Sequence, residues 1–314
     1  MRSRPVAVLC VVLLLCAVLY MTLGAKGAWS FVIPFRAGKL AGLVLVAVAI
    51  STATVLFQTV SGNRILTPSI MGFDALYSLL LTGLVFFLGA QATIQLPPMA
   101  LFGLNTGLLM LGAVLLFGTL IAQTRGDLLR MILTGIIFAT LFRSLTAFWQ
   151  RMIDPNEFQV IQVASYARFN RIDTDLLPLA SVLCLGAIAL VWHRRRQWDV
   201  LALGHDAATN LGLRVRLETV FALLLVAVLV SVSTALVGPV AFLGLLVVSL
   251  ARLVDGSETH ARLLPIAALI SGITLVGGQL ALERVFALST PLSVVVDLLG
   301  GLFFFFLLLK GRSR

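Results

Sequence analysis

The chain is written in long apolar runs separated by a few short polar breaks. About ten stretches, 5–24, 38–60, 69–89, 100–123, 130–150, 176–193, 217–237, 240–254, 263–283 and 291–309, have the character of membrane-crossing helices, since about 20 apolar residues span the ~30 Å hydrocarbon core. No segment alternates apolar and polar residues as a barrel strand does. The pattern therefore predicts an all-α, polytopic membrane protein built as a single domain over 1–314. The eighth stretch is short and starts abruptly after Gly238-Pro239, so nine or eleven spans stand beside ten. The first follows Arg2 and Arg4 and runs into "LGAKGA", as a cleaved signal peptide can. Its apolar run exceeds the usual h-region of about 7–15 residues, which favours a retained anchor.

Composition agrees with the pattern. Of 314 residues, 60% are hydrophobic and 11% charged, with mean hydropathy +1.08. A soluble domain of this size carries roughly a quarter of its residues as charges, so lipid must be the solvent here. The net charge of +10 comes with no basic face or nucleic-acid-binding motif. The basic residues serve instead to orient the spans. With the N-terminus inside, Arg2, Arg4, Arg64, Arg125, Arg130, Arg194, Arg195, Arg196, Arg214, Arg216, Arg252, Arg262, Lys310, Arg312 and Arg314 gather on the cytoplasmic side. Lys26, Arg36, Lys39, Arg151, Arg168, Arg171 and Arg284 fall outside. Both termini are then cytoplasmic, and so is the polar segment 194–216.

Candidate chemistry is sparse. Cys10, Cys16 and Cys184 lie in apolar runs without metal-ligand spacing, His193, His205 and His260 are scattered, and neither H-E-x-x-H nor G-x-S-x-G occurs. We expect no catalytic residue, metal site or cofactor in this chain. G-x-x-x-x-G-K-[ST] is missing too, so uphill movement would draw on an ion gradient or on another chain. Charges within spans are few: Asp74, Arg143 and Asp297. Arg143 and Asp297 either pair or face a wet cavity or an interface, because an isolated charge in lipid is costly.

One polar segment stands out. In "LALGHDAATNLGL", 201–213, Gly204 interrupts one helix, Asp206 can cap a new one over Ala207–Leu211, and Gly212 can end it in the left-handed conformation. A helix this short is unstable alone in water. It is either a loop packed on its own bundle or a lever seated on another protein.

The segment resembles the L-x-L-G-x-x-x-A-x-x-L-G element of ABC-importer permeases of the iron–siderophore, haem and cobalamin (FecCD-type) family. Further along the chain, "FRAGKLAGLVLVAVAISTATVLFQ", "NRILTPSIMGFDALY", "GPVAFLGLLVVSLARLVDG" and "TPLSVVVDLLGGLFFFFLLLKG" resemble other family segments, in the same order. Val248-Ser249 stands where the family commonly has Pro-His, Pro291-Leu292-Ser293-Val294 where it has Leu-Pro-x-Gly, and Gly300-Gly301-Leu302 where it has Gly-(Ala)-Pro. Together with "TPSIMGFDALY" and "DPNEFQVIQ", these departures resemble the catecholate-siderophore branch.

The resemblance implies a permease in the bacterial inner (cytoplasmic) membrane, paired with a second permease as a heterodimer. Its other partners would be two ABC ATPases, which hold the ATP, and a periplasmic siderophore-binding protein. Residues 198–213 would couple to the ATPase through Leu203, Gly204, His205, Asp206, Ala207, Ala208, Asn210, Leu211 and Gly212. Arg36, Lys39 and Arg284 would dock the binding protein, or else snorkel to headgroups as helix-end cations. Arg143, Phe158, Tyr166, Arg168, Phe169, Arg171 and Asp297 are candidates for the substrate path, cationic and aromatic groups being suited to an anionic aromatic chelate. Those in 151–175 could equally cap the bundle.

Overall fold

Small side chains decide which helices sit in the middle of this bundle. The computed structural model describes residues 4–24, 29–124, 128–164, 167, 169, 172–284 and 291–311, and every regular element among them is helical. In chain order these are α1 (Arg4–Thr22), α2 (Trp29–Ser61), a π-helical turn (Ser69–Phe73) running into α3 (Asp74–Leu88), α4 (Ala90–Gln95), α5 (Pro98–Thr124) and α6 (Leu128–Met152). There follow α7 (Pro155–Ala164), a 3-10 turn (Thr174–Leu176) leading into α8 (Leu177–His193), α9 (Arg195–Leu201), α10 (His205–Asn210), α11 (Val215–Val237), α12 (Leu243–Asp255), α13 (His260–Arg284) and α14 (Leu292–Gly311).

Each apolar stretch of the sequence coincides with one of the long helices. Seven helical stretches among the described residues are long and apolar enough to cross a membrane, and Leu292–Phe303 adds a shorter apolar one. The tally of ten spans itself rests on the sequence pattern.

The helices α2, α11 and α13 form the centre, and α2 packs along both of the others. Of the apolar stretch of α2, 72% is buried, against 6% of that of α1. The reason is compositional: α2 buries Ala47, Ala49, Ser51, Thr52, Ala53 and Thr54, and α11 buries Ala222, Ala227, Ser231 and Ser233. Lipid gives helices no hydrophobic reason to associate, so close approach of small-residue faces and the dispersion contact it brings hold them together. Around this centre α1 lies on α13, α5 and α8 on α11, α12 on α13, and α6 on α3.

One contact is especially close. At Gly244 in α12 an added Cβ would fall on the Thr54 hydroxyl of α2. Gly244→Leu should therefore force the two helices apart and cost about 3 kcal/mol, as overpacking of a full core does. A thermal-unfolding measurement in detergent checks this, and an unshifted midpoint would mean that α12 can slide freely along α2.

The break after α2 is closed by side chains that lie next to it. Gln58 donates Nε2–H to the Arg64 carbonyl at 2.7 Å, the Ile65 N–H donates to Asn63 Oδ1 at 2.9 Å, and the Ser61 hydroxyl lies 3.3 Å from the Gln58 carbonyl. The polar side chains of 58–63 thus take up backbone groups that the broken helix leaves open.

Candidate functional site

At one end of the bundle the chain leaves α8 and folds back as two short helices before entering α11. An ion pair fixes this excursion at its base, Arg194 Nη1 donating to both carboxylate oxygens of Glu218 at 2.8 and 3.0 Å, with the Arg194 guanidinium 4.6 Å from the Phe221 ring centre. Trp198 is fully buried, donates Nε1–H to the Val191 carbonyl at 3.0 Å and stacks on Phe221. Through these contacts α9 is clamped to the ends of α8 and α11. The helix Arg195–Leu201 is thus anchored by its tryptophan.

The second short helix departs from expectation at its start. It runs His205–Asn210, starting two residues before the expected Ala207, and Asp206 does not cap it. The N-cap is Gly204, at φ 98, a conformation that costs an L side chain strain and lets glycine reverse the chain between α9 and α10. Asp206 instead sits in the first turn, where a carboxylate complements the helix dipole. The end follows expectation. Gly212 has φ 83, its N–H donates to the Thr209 carbonyl, and the Leu213 N–H donates to the Ala208 carbonyl at 3.0 Å, which together form a Schellman closure.

Ala208 is the buried residue of α10; His205, Ala207 and Asn210 are exposed. Leu203 and Leu211, flanking α10, are 62% and 65% exposed. The segment thus presents two bare leucines on a capped polar helix, carried by an anchored neighbour.

Beside α9, residues far apart in the chain meet. Asp199 Oδ1 accepts the backbone N–H of His260 and lies 2.7 Å from His260 Nδ1, while His260 Nε2 lies 2.8 Å from the Thr59 hydroxyl. Next to them Arg252 donates to Gln58 Oε1 at 2.6 Å, and Glu258 pairs with Arg64 at 3.0 Å. Sequence reading missed Asp199, His260 and Thr59, and with separations of 61 and 201 residues no local signal could have joined them.

The expected docking cations lie at the opposite end. The helix α13 starts beside α9 and reaches Arg284 after 25 residues, about 37 Å at 1.5 Å per residue. There Arg36 donates to the carbonyls of Tyr20, Met21 and Leu23 at 2.8–3.1 Å, and Arg284 donates to the Leu23 carbonyl as well. The two arginines converge on the C-terminus of α1, where cations satisfy the last carbonyls and the dipole. Lys39 lies 4.3 Å from the Phe35 ring centre. All three share one end, and Arg284 is the exposed one.

The expected path residues separate. Asp297 accepts the Phe242 N–H at 3.0 Å and so closes the N-terminus of α12. A backbone donor, and no arginine, is its partner there. Arg143 is exposed on α6 and lies within electrostatic range of Asp74, which is hydrogen-bonded to the Ser69 side chain. A small pocket between the 62–73 and 238–242 breaks is lined by Thr54, Thr67, Ser69, Thr234, Val240 and Gly244. Phe158 is half-buried on α7, whose Glu157 accepts the N–H of Ala90 at 3.2 Å. Phe169 is 2% exposed and belongs to the main apolar core, so it faces no open path in this conformation. Tyr166, Arg168 and Arg171 lie outside the described residues. Among the described residues no group of three His, Cys, Asp or Glu side chains is placed to hold a metal ion.

A small-residue helical bundle with a capped helix pair at one end is the architecture of a polytopic membrane protein. The likeness to known proteins narrows this class: residues 6–310 match the FecCD transport family, and the chain belongs to it. It is 44% identical over 284 residues, 90% of each chain, to the petrobactin import system permease protein YclO of Bacillus subtilis (strain 168). It is 31% identical to the petrobactin import system permease protein FatC of Bacillus anthracis, over 90% of this chain and 80% of that one. To the Fe(3+) dicitrate transport system permease protein FecD of Escherichia coli (strain K12) it is 29% identical, over 88% and 85%. Among solved structures, an inward-facing metal-chelate type ABC transporter shares the fold, with TM-score 0.83 at 21% identity over 99% of this chain and 100% of that one.

Proposed function

We propose that this chain is the membrane permease subunit of an ATP-driven importer that carries a ferric catecholate-type siderophore into the cytoplasm by alternating access. The observation that carries the reading is the 44% identity to a petrobactin import permease across 90% of both chains. Iron travels as cargo inside its chelator, which accords with a chain in which no metal-ligand set was expected.

The protein sits in the cytoplasmic membrane with α9 and α10 on the cytoplasmic side, in keeping with the Arg194, Arg195 and Arg196 run at their base. A second permease, different in sequence, completes the path, and two ABC ATPases bind and hydrolyse ATP on chains of their own. The exposed Leu203 and Leu211 and the helix between them seat in a groove of the ATPase, where apolar anchors supply affinity and a rigid capped helix moves as one body. ATP binding then needs only to bias an existing inward–outward equilibrium by a few kcal/mol.

At the far end Arg36, Lys39 and Arg284 meet acidic residues of the loaded extracytoplasmic binding protein. Rim charges of this kind steer and orient docking more than they tighten it. Arg36 doubles as the clasp of α1, so its removal would also loosen that helix.

Reconstitution tests the whole. In proteoliposomes holding this permease, its partner permease and the ATPases, uptake of a ferric catecholate delivered by the binding protein should require ATP and survive a proton ionophore. Uptake that proceeds without ATP and collapses with the proton gradient would make the chain a secondary transporter and overturn the proposal.

A further inference from the structure

Two separate attachments hold the α9–α10 pair to the bundle. Trp198 and Arg194 tie it to α8 and α11, as described above. The other attachment runs to different helices. Asp199, with its side chain 32% exposed, reaches across to the first residue of α13 and takes both the backbone N–H and the ring Nδ1 of His260, each at 2.7 Å. The carboxylate thereby acts as an N-cap donated from another helix, satisfying one of the orphan donors of α13. His260 is 1% exposed, and its other ring nitrogen lies 2.8 Å from the Thr59 hydroxyl in the last turn of α2. That hydroxyl is also 2.9 Å from the Val55 carbonyl. With Nδ1–H given to Asp199, a neutral ring accepts at Nε2, so the single Thr59 proton goes either to the ring or to the α2 backbone.

We infer that Asp199, His260 and Thr59 form the link through which displacement of the α9–α10 pair reaches α2 and α13, making His260 a positioning residue for transport. This deepens the functional reading above and rests on it. The geometry favours transmission over simple anchoring. The chain of contacts is short, directional and buried at its middle member, and it adds hydrogen bonds to the packing of α9 on α2 and α13, two of the three central helices. A displacement of α9 carries Asp199 with it, and a hydrogen-bonded cap either pulls the N-terminus of α13 along or breaks. Without the link, α9 would meet α2 and α13 through packing alone, which can slip where a hydrogen-bonded cap cannot.

The test uses the complete importer in proteoliposomes and reads cargo transported per ATP hydrolysed. His260→Ala and Thr59→Val should each lower that ratio about 10-fold, a coupling loss of ordinary size. His260→Gln should bring it back to within about threefold, because an amide can donate to Asp199 and accept from Thr59. A ratio that stays at the wild-type value, with transport and hydrolysis intact or falling in proportion, would overturn the link and leave these residues a role in fold stability alone. Should His260→Ala fail to assemble, Thr59→Val decides: it keeps the Asp199–His260 contacts, so a lowered ratio supports the link and an unchanged one overturns it. A wild-type importer without ATP-dependent uptake would bring down the functional reading and this inference together, and shows itself before any variant is compared.

Discussion

Replacing Gly204 by proline is expected to separate this permease from its ATPase while leaving the helical bundle inserted. Gly204 has φ 98, whereas the proline ring holds φ near about −65°, so the turn between α9 and α10 cannot form as it stands. Proline also removes the N–H that Gly204 donates to the Leu201 carbonyl at 3.1 Å. The combined cost, roughly 3 kcal/mol or more, falls on a six-residue helix held by a single buried side chain, Ala208. The helix should tilt away or melt, and Leu203 and Leu211 would lose their spacing.

Trp198 and the Arg194–Glu218 pair do not depend on the joint and should keep α9 in place, so thermal stability in detergent should hold. The measurement is co-purification of the ATPase with the tagged permease, expected to fall at least about 10-fold, together with loss of ATP-dependent uptake. Gly204→Ala should fall between, since alanine tolerates positive φ poorly but keeps the N–H. An ATPase that stays bound to the proline variant, with transport preserved, would move the docking surface elsewhere on the chain.

How far these features could be read from residues alone depends on the range of the force behind each. Spans were legible because lipid imposes a local rule: backbone must close its own hydrogen bonds over about 20 apolar residues. The helix break at 61–68 is governed by the same local rule, with Gln58, Ser61 and Asn63 lying next to the groups they satisfy. The closure of α10 at Gly212 was local as well.

Its start was misjudged because Asp206 is a common cap residue, yet the positive-φ turn at Gly204 had already reversed the chain and begun the helix ahead of it. Asp297 shows a different limit. A carboxylate within a span invites a search for a cation such as Arg143, but its partner is the Phe242 N–H, and every residue except proline carries such a donor. Phe169 looked suited to an aromatic cargo and is instead packed in the core, since an aromatic in an apolar setting serves packing as readily as recognition. The contacts of Asp199 with His260 and of His260 with Thr59 depend on how three helices cross, and no period or spacing encodes that.

Arg143 sits in the longest-range part of the problem, and its charge should matter most to the cargo. Along α6 the residues Thr140, Arg143, Ser144, Ala147 and Arg151 are all exposed, a small and polar stripe at helical spacing. Ile137, Leu141, Leu145 and Phe148 are exposed too and give the same helix an apolar face suited to lipid. A polar stripe in a span lines water or a partner helix, because a cation turned to hydrocarbon is costly. In the proposed importer that stripe faces the path shared with the second permease.

A unit charge about 6 Å from another is worth about 2–3 kcal/mol at an effective dielectric of about 20, and less where water and ions screen it. Arg143→Glu replaces attraction by repulsion toward an anionic ferric catecholate, so uptake should fall about 100-fold at equal amounts of assembled complex. Arg143→Lys keeps the charge, without the flat donor fork, and should stay within about fivefold of wild type. Initial-rate uptake of the iron-loaded chelate by proteoliposomes carrying each variant makes the comparison. Glutamate and lysine variants equal to wild type would place Arg143 at a contact that cargo never meets, and the search for the path would then turn to the pocket between the two helix breaks, where Thr54, Thr67 and Ser69 face Thr234 across the bundle.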